Sequence, residues 1–325
     1  MSLLTALPTT PANLMRNVAE NQSVFRRKFL DGFGFKDQMQ TLYGRDIVPL
    51  PRIRTGQFIR PGRTGVFTPN ANTLTLSARQ AQLKAVKGDV EFTEVEIETA
   101  WNTYFGQLQM LSGAAQQREY ILQVPFENVL IDEILKKANH DYHLNAAFRG
   151  TYNPAGTTPA SVDDGLLTKM AGQFNVDIPA ANLLATATPT ATNMIAITQA
   201  FVDVIAATAP QYLNEPLKMW MSPQVKRFYE RNLLSANNVA FASYYNTFKQ
   251  PVLFEQPNIE IVAEAGMSGS NRIFVTTGDN LKFCTDSDSI NVRVLAQIRS
   301  WQIALDWKST LDFCEGELIW SNTLA

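Results

Sequence analysis

The stretch whose reading decides the fold runs from residue 45 to residue 89: RDIVPLPRIRTGQFIRPGRTGVFTPNANTLTLSARQAQLKAVKGD. Pro49, Pro51, Pro61 and Pro69 share it with Gly56, Gly62 and Gly65. Prolines at this density forbid a long helix or a central strand, because each removes a backbone donor and fixes φ. Short extended pieces remain at 57–59, 66–68 and 74–76. The pattern predicts a long, irregular two-stranded hairpin. It holds too few large apolar residues for a core of its own, and a lone hairpin is marginal in water. It must therefore lie on something else.

Charge marks the same stretch. Residues 45–89 carry eight Lys/Arg against two acids, a net +6. Residues 90–135 carry eight acids against Arg118 alone, a net −7. The chain as a whole has a formal charge of only −2, so the average conceals a basic block beside an acidic one. Ordinary solvated charge is one reading. The sharper one is self-complementarity, in which the basic hairpin of one copy lies on the acidic face of another. Each exposed pair contributes only about 0.2–1 kcal/mol, but several pairs repeated around a ring fix register and orientation. The candidate contact residues are Arg52, Arg54, Arg60, Arg63, Lys84 and Lys87 on the basic side. On the acidic side they are Glu94, Glu96, Glu98 and Glu127. Few aromatics interleave with the arginines, which argues against single-stranded nucleic acid as the partner.

Working outward, 90–98 predicts a strand. Val90 and Phe92 share one parity, and Val95 and Ile97 share the other, which implies a bulge near Thr93 and Glu94. Glu94, Glu96 and Glu98 would then form a row on one strand face. Residues 125–149 predict a long helix, with Pro125 at its first turn, an apolar stripe through Ile131, Ile134, Leu135, Ala138 and Tyr142, and Gly150 as its stop. Residues 13–29 predict a short amphipathic helix within an N-terminal arm rather than a core element. Further helices are expected at 193–208 and from Pro223 to about Leu234, with a short buried strand at 217–221. The end of the chain reads as β. A hairpin is expected around Gly278-Asp279-Asn280. Beyond it come either two antiparallel strands joined near Ser300 or one long bulged strand, and then a last strand at 318–320.

The search for chemistry excludes more than it finds. No dinucleotide fingerprint, phosphate-binding loop or nucleophile elbow occurs. His140 and His143, three apart on the long helix, suit a helix C-terminus or simple surface positions better than a metal. Cys284 and Cys314 sit in apolar, strand-like contexts and read as small buried hydrophobes with free thiols. Trp301, Trp307 and Trp320 fall at strand parity and read as core. No run of about 18 apolar residues predicts a membrane span, and the first twelve residues lack the pattern of a signal peptide. The expected class is α+β, with no catalytic, cofactor or metal site.

The order of these elements resembles the major capsid proteins of tailed bacteriophages with the Hong Kong 97-type fold. The likeness is carried by the extended loop 45–89, by the helix from Val124-Pro125-Phe126-Glu127 to Phe148-Arg149-Gly150, and by Met219-Trp220-Met221-Ser222-Pro223. Ile290-Asn291-Val292-Arg293-Val294 with the strand after it carries the rest. The resemblance implies an N-terminal arm (1–44), an extended loop or E-loop (45–98) and a peripheral domain (99–192) with a spine helix at 125–149. It further implies an axial domain (193–272) and a closing β segment (273–325) returning to the peripheral domain. It implies hexamers and pentamers that build an icosahedral shell around double-stranded DNA, contacted non-specifically, within the virion. Assembly in the host bacterial cytoplasm is expected, with a portal, a separate scaffold and possible auxiliary capsid proteins as partners and no membrane. The alternatives are an encapsulin-type compartment shell, or an enzyme without a recognised motif.

Overall fold

A computed structural model describes residues 11–55, 74–111, 113, 117, 126–236, 252–296 and 300–324. The first helices are α1 (Pro11–Glu20) and α2 (Gln22–Asp31), followed by the short strand β1 (Gln40–Tyr43). The hairpin appears as β2 (Ile47–Thr55) paired antiparallel with β3 (Leu74–Gln82), in a register that sets Ile47 opposite Gln82 and Thr55 opposite Leu74. The extended pieces expected at 57–59 and 66–68 lie outside the described residues. Next come β4 (Lys84–Thr93), α3 (Glu94–Gln109) and α4 (Phe126–Asp141). The short helix α5 (Leu166–Ala171), the two-residue β5 (Leu183–Leu184), α6 (Met194–Thr208), β6 (Leu217–Met221) and α7 (Pro223–Ala236) follow. The chain closes with β7 (Ile259–Ala263), β8 (Phe274–Thr277), β9 (Leu281–Ala296), β10 (Ser300–Phe313) and β11 (Ile319–Asn322).

These strands make two main sheets. One runs β1-β9-β10-β4; the other runs β5-β11-β8-β6-β7. The strand at 217–221 and the helix from Pro223 fall where their local signals place them. Ser222 caps that helix, its Oγ accepting from Val225 N at 3.4 Å. The two long closing strands are antiparallel, with Trp301 opposite Ala296 and Phe313 opposite Leu281.

Three expectations are corrected. The chain after Thr93 is not a strand. Thr93 N donates to Glu96 Oε2 at 2.8 Å and Glu96 N to Thr93 Oγ1 at 3.4 Å, a reciprocal capping box that starts α3 at Glu94. The parity flip is thus a change of period from two to 3.6, and Glu94, Glu96 and Glu98 do not form a strand row. Secondly, β8 and β9 are not a hairpin; they belong to different sheets. Asn280 diverts the chain, its Nδ2 donating to Thr276 Oγ1 and to Glu315 O, both at 2.9 Å. Thirdly, residues 11–43 are no detached arm. Val18, Phe25, Phe29, Leu30, Phe33 and Phe35 are buried in the larger core. There Phe33 meets Tyr142 and Phe283, and Phe29 meets Trp307, at ring separations of 5.0–5.8 Å.

The long helix is regular over α4, about 24 Å, then widens into a π-helical turn at Tyr142–Ala147. Pro125 lies outside the described residues. Gly150 follows the helix end, where a Cβ would stand 2.3 Å from Asp163 O, so no larger residue fits. The helix packs against α2 through one tight point. Asn139 Nδ2 donates to Phe29 O at 2.9 Å, and a Cβ on Gly32 would sit 2.2 Å from that nitrogen. The second core lies on one face of the five-stranded sheet beneath α6 and α7, around Phe201, Met219, Tyr229 and Trp320.

Candidate intersubunit surface

The hairpin alternates along its length. Val48 and Leu50 on β2 and Ala81 on β3 turn one face inward, where with Leu83 they pack on Cys284 and Cys314. Arg52 and Arg79 continue that face towards the tip. Arg52 Nη1 lies 2.6 Å from Asp177 Oδ1, Arg79 Nη1 3.5 Å from Asp177 Oδ2, and Arg79 Nε 3.0 Å from Asp312 Oδ1. The Arg79 guanidinium also stacks 4.0 Å above the Phe313 ring. Two arginines and two aspartates thus clamp the hairpin root to the body. All four side chains are largely buried, so water screens these pairs less than an exposed pair.

The clamp alters the roles of the predicted residues. Arg52 spends its charge inside its own chain. Arg54 is paired opposite Thr75 in the hairpin register; its side chain, and all of Arg60 and Arg63, lie outside the described residues. Lys84 donates to Gln82 Oε1 at 3.2 Å and sits 4.4 Å above the Tyr152 ring. Lys87 pairs with Asp89 at 3.0 Å, both well exposed.

On the acidic side, Glu96 is engaged in the α3 cap. The Thr93 backbone N–H, and then its hydroxyl, hold the Glu96 carboxyl below its ordinary value. Glu98 is exposed on α3. The side chains of Glu94 and Glu127 are not among those described. Around them Asp132 is taken by Lys28 at 2.7 Å, Glu133 by Lys136 at 2.6 Å, and Glu91 by Ser300 Oγ at 2.6 Å. Part of the −7 block is therefore neutralised at home.

Sequence reasoning missed Asp177 and Asp312. Asp312 had a visible signal, an acid inside the apolar run Leu311-Asp312-Phe313-Cys314. Asp177 had none, since it reaches the hairpin from the turn at Gln173–Ile178, where Asn175 has φ 60°. A second buried polar group was also missed. Thr310 Oγ1 donates to Asp163 Oδ2 at 2.6 Å, and Lys169 donates to Leu311 O at 2.8 Å and to Thr310 Oγ1. Burial pushes the Asp163 carboxyl up, against Lys169, which pulls it down. It ties the 163–169 segment to β10 rather than forming an open site. His143 bonds to Glu264, which also accepts from Gly266 N at 2.9 Å. His140 is exposed and lines the same shallow cavity as His143 beside Gly32 and Gly34. Both cysteines are buried free thiols, and burial pushes Cys284 up to about 12. Among the described residues no group of His, Cys, Asp and Glu could hold a metal ion, and no helix is long and apolar enough to cross a membrane.

No family model matches the chain, and no curated protein does. Solved structures do. A chain of the satellite phage P4 procapsid superposes with a TM-score of 0.58 at 12% identity, covering 93% of this chain and 98% of that one. The protein has the fold of that procapsid chain. The capsid of Myoviridae phage XM1 (15% identity, 91% of this chain and 90% of that one, TM-score 0.48) is also similar. So is a virus-like particle from Pyrococcus furiosus (7% identity, 93% and 99%, TM-score 0.48). The fold shared with the P4 procapsid chain extends over nearly the whole of both chains.

Proposed function

We propose that this chain is a structural shell subunit, the major capsid protein of a tailed bacteriophage. It would assemble as hexamers and pentamers into an icosahedral shell around double-stranded DNA. The observation that carries this reading is the superposition on the P4 procapsid chain over almost the full length of both. In Hong Kong 97-type terms, β2 and β3 are the stem of the E-loop. Helix α4 with its π-turn is the spine of the peripheral domain, and the five-stranded sheet with α6 and α7 is the axial domain. A portal, a scaffold and auxiliary proteins would be its partners during assembly in the host cytoplasm.

The clamp supports a mechanical role for the hairpin. A root fixed by Arg52, Arg79, Asp177 and Asp312 lets the segment beyond it reach a neighbour at a defined angle. The basic candidates for that neighbour are Arg54, Arg60 and Arg63, with Lys84 and Lys87 beside them. Glu98, Glu94 and Glu127 are the acidic candidates to receive them, while Arg52 and Glu96 act within the subunit. Electron microscopy of the purified, concentrated protein tests the reading, with closed shells expected. A monodisperse monomer under every assembly condition would overturn it, and shells filled with a protein cargo instead of DNA would replace the phage by an encapsulin. Reversing Arg54, Arg60 and Arg63 to Glu should block assembly while circular dichroism stays that of the wild type. Unaltered assembly would reject charge docking of the hairpin.

A further inference from the structure

Strand β4 ends the four-stranded sheet. It pairs along its length with β10, from Lys84 opposite Ser309 to Thr93 opposite Ser300, and with no strand on its other side among the described residues. Ten residues of open backbone edge, without a proline, are a template for another strand. The loop 151–160 adjoins this edge. Between it and residues 85–89 runs a cavity of about 530 Å³, walled by Tyr152, Pro154 and Pro159.

What fits there can be read from β4 itself. The exposed face carries Ala85, Lys87, Asp89 and Glu91, and the more buried face Lys84, Val86, Gly88, Val90 and Phe92. We propose that the free edge of β4 pairs antiparallel with the same edge of a second copy, across a twofold axis at Gly88, so that two four-stranded sheets become one of eight. In that register Lys87 faces Asp89 of the other copy, twice by symmetry, and Val86 faces Val90. Centring on Lys87 would set Lys87 against itself, and centring on Asp89 would set Asp89 against itself. Facing like charges destabilise a strand pair and opposite ones stabilise it, so Gly88 is the favoured centre. An interface of this kind is isologous and closes after two copies.

Gly88 supplies an independent observation. A Cβ there would meet only Leu305 and Trp307, at 3.9–4.0 Å, which is ordinary contact. Packing inside the subunit therefore does not require glycine, although glycine weakens a strand interior. At the proposed axis, glycine faces glycine, where two backbones approach.

The test is disulfide trapping in the full-length protein. Facing residues of an antiparallel pair have Cα atoms about 4.5–5.5 Å apart, within the range a disulfide bridges. Gly88→Cys, oxidised with copper-phenanthroline, should give a covalent dimer on a non-reducing gel. Thr103→Cys, exposed on α3, should give none, and the buried native thiols should contribute none. Lys87→Asp in the Gly88→Cys background should lower the dimer yield about fivefold by opposing like charges twice. Adding Asp89→Lys should restore it. No dimer from Gly88→Cys in folded protein, or equal dimer from Thr103→Cys, overturns the pairing. Where Gly88→Cys does not fold, a mixture of Ala85→Cys and Glu91→Cys chains must give the heterodimer instead, and its failure overturns the pairing equally. Shells without trapped dimer would sink the β4 pairing and leave the shell function standing. Trapped dimers without shells would do the reverse.

Discussion

Removing Asp177 should free the hairpin from the body. Asp177 sits between Arg52 and Arg79, and Arg79 retains Asp312 at 3.0 Å when Asp177 is lost. Arg52 has no second acid to turn to in the clamp, and its Nε and Nη2 are buried without a hydrogen-bond partner. Asp177→Ala therefore leaves a guanidinium that is 88% buried with no compensating charge at that site; its side chain is 12% exposed. Breaking a buried pair from one side costs about 3–5 kcal/mol. The residual exposure and the surviving Arg79–Asp312 pair place this site near the lower end, about 3 kcal/mol. Urea unfolding read by tryptophan fluorescence measures that cost, and proteolysis of the hairpin reports whether the root has opened. Arg52→Met combined with Asp177→Ala removes the stranded charge, and should recover most of the loss because an apolar pair can replace a buried ionic one at little cost. A loss below about 1 kcal/mol for Asp177→Ala would refute the reasoning, being the value of an exposed pair. So would a double variant as unstable as the two single losses added, since that leaves no coupling between the residues.

Three further outcomes follow from the same packing. Gly32→Ala should destabilise the fold by about 1–3 kcal/mol, because its Cβ displaces the buried Asn139 amide. On an Asn139→Ala background the same change should be neutral or slightly stabilising, and a cycle of urea midpoints with equal losses on both backgrounds would reject the clash. Glu96 titrates below its ordinary value of 4.5 in the folded chain. The fold therefore binds fewer protons there than the unfolded chain, and Glu96 contributes stability above pH 4.5 that is lost as pH falls through the lowered value. Glu96→Gln, which can still cap, should flatten that part of the stability-against-pH curve, and identical slopes would count against the cap. Finally, Cys284 and Cys314 should resist an aromatic disulfide reagent at pH 8 in the native protein and both react in denaturant, since burial keeps the Cys284 thiol protonated up to about 12. Rapid native labelling of Cys284 would contradict its burial.

Local signals were legible and distant ones were not. Leu217–Met221 and the helix after Ser222-Pro223 could be read because a short apolar run, a cap and a proline act within a few residues. The end of the long helix at Gly150 was readable for the same reason. The Gly278-Asp279-Asn280 turn misled because turn chemistry says how a chain bends, not which sheet it bends towards; the Asn280 contacts with Thr276 and Glu315 decide that. Thr93 and Glu96 carried a capping box, but the alternation of Val90 and Phe92 just before it favoured a strand. The burial of Phe25, Phe29, Phe33 and Phe35 could not be seen at all, since their partners lie on α4, β9 and β10. In the contact surface, the excess of arginine was visible, whereas the capture of Arg52 by Asp177 depends on a turn 125 positions away.

The parallel pairing of β1 with β9 has a consequence for how the chain is made. Gln40 sits beside Lys282, and Gln22 Nε2 donates to Val292 O across 270 positions. The earlier segment must therefore wait for one made about 240–270 residues later before its aromatic side chains are covered. At about 5–20 residues per second, the delay is roughly 15–50 s. During that interval Phe25, Phe29, Phe33 and Phe35 lack their native neighbours on β9 and β10. The same delay orders events usefully. A nascent chain that has not yet reached β10 lacks the strand on which β4 aligns, so it cannot present that sheet edge to another copy until β10 is made.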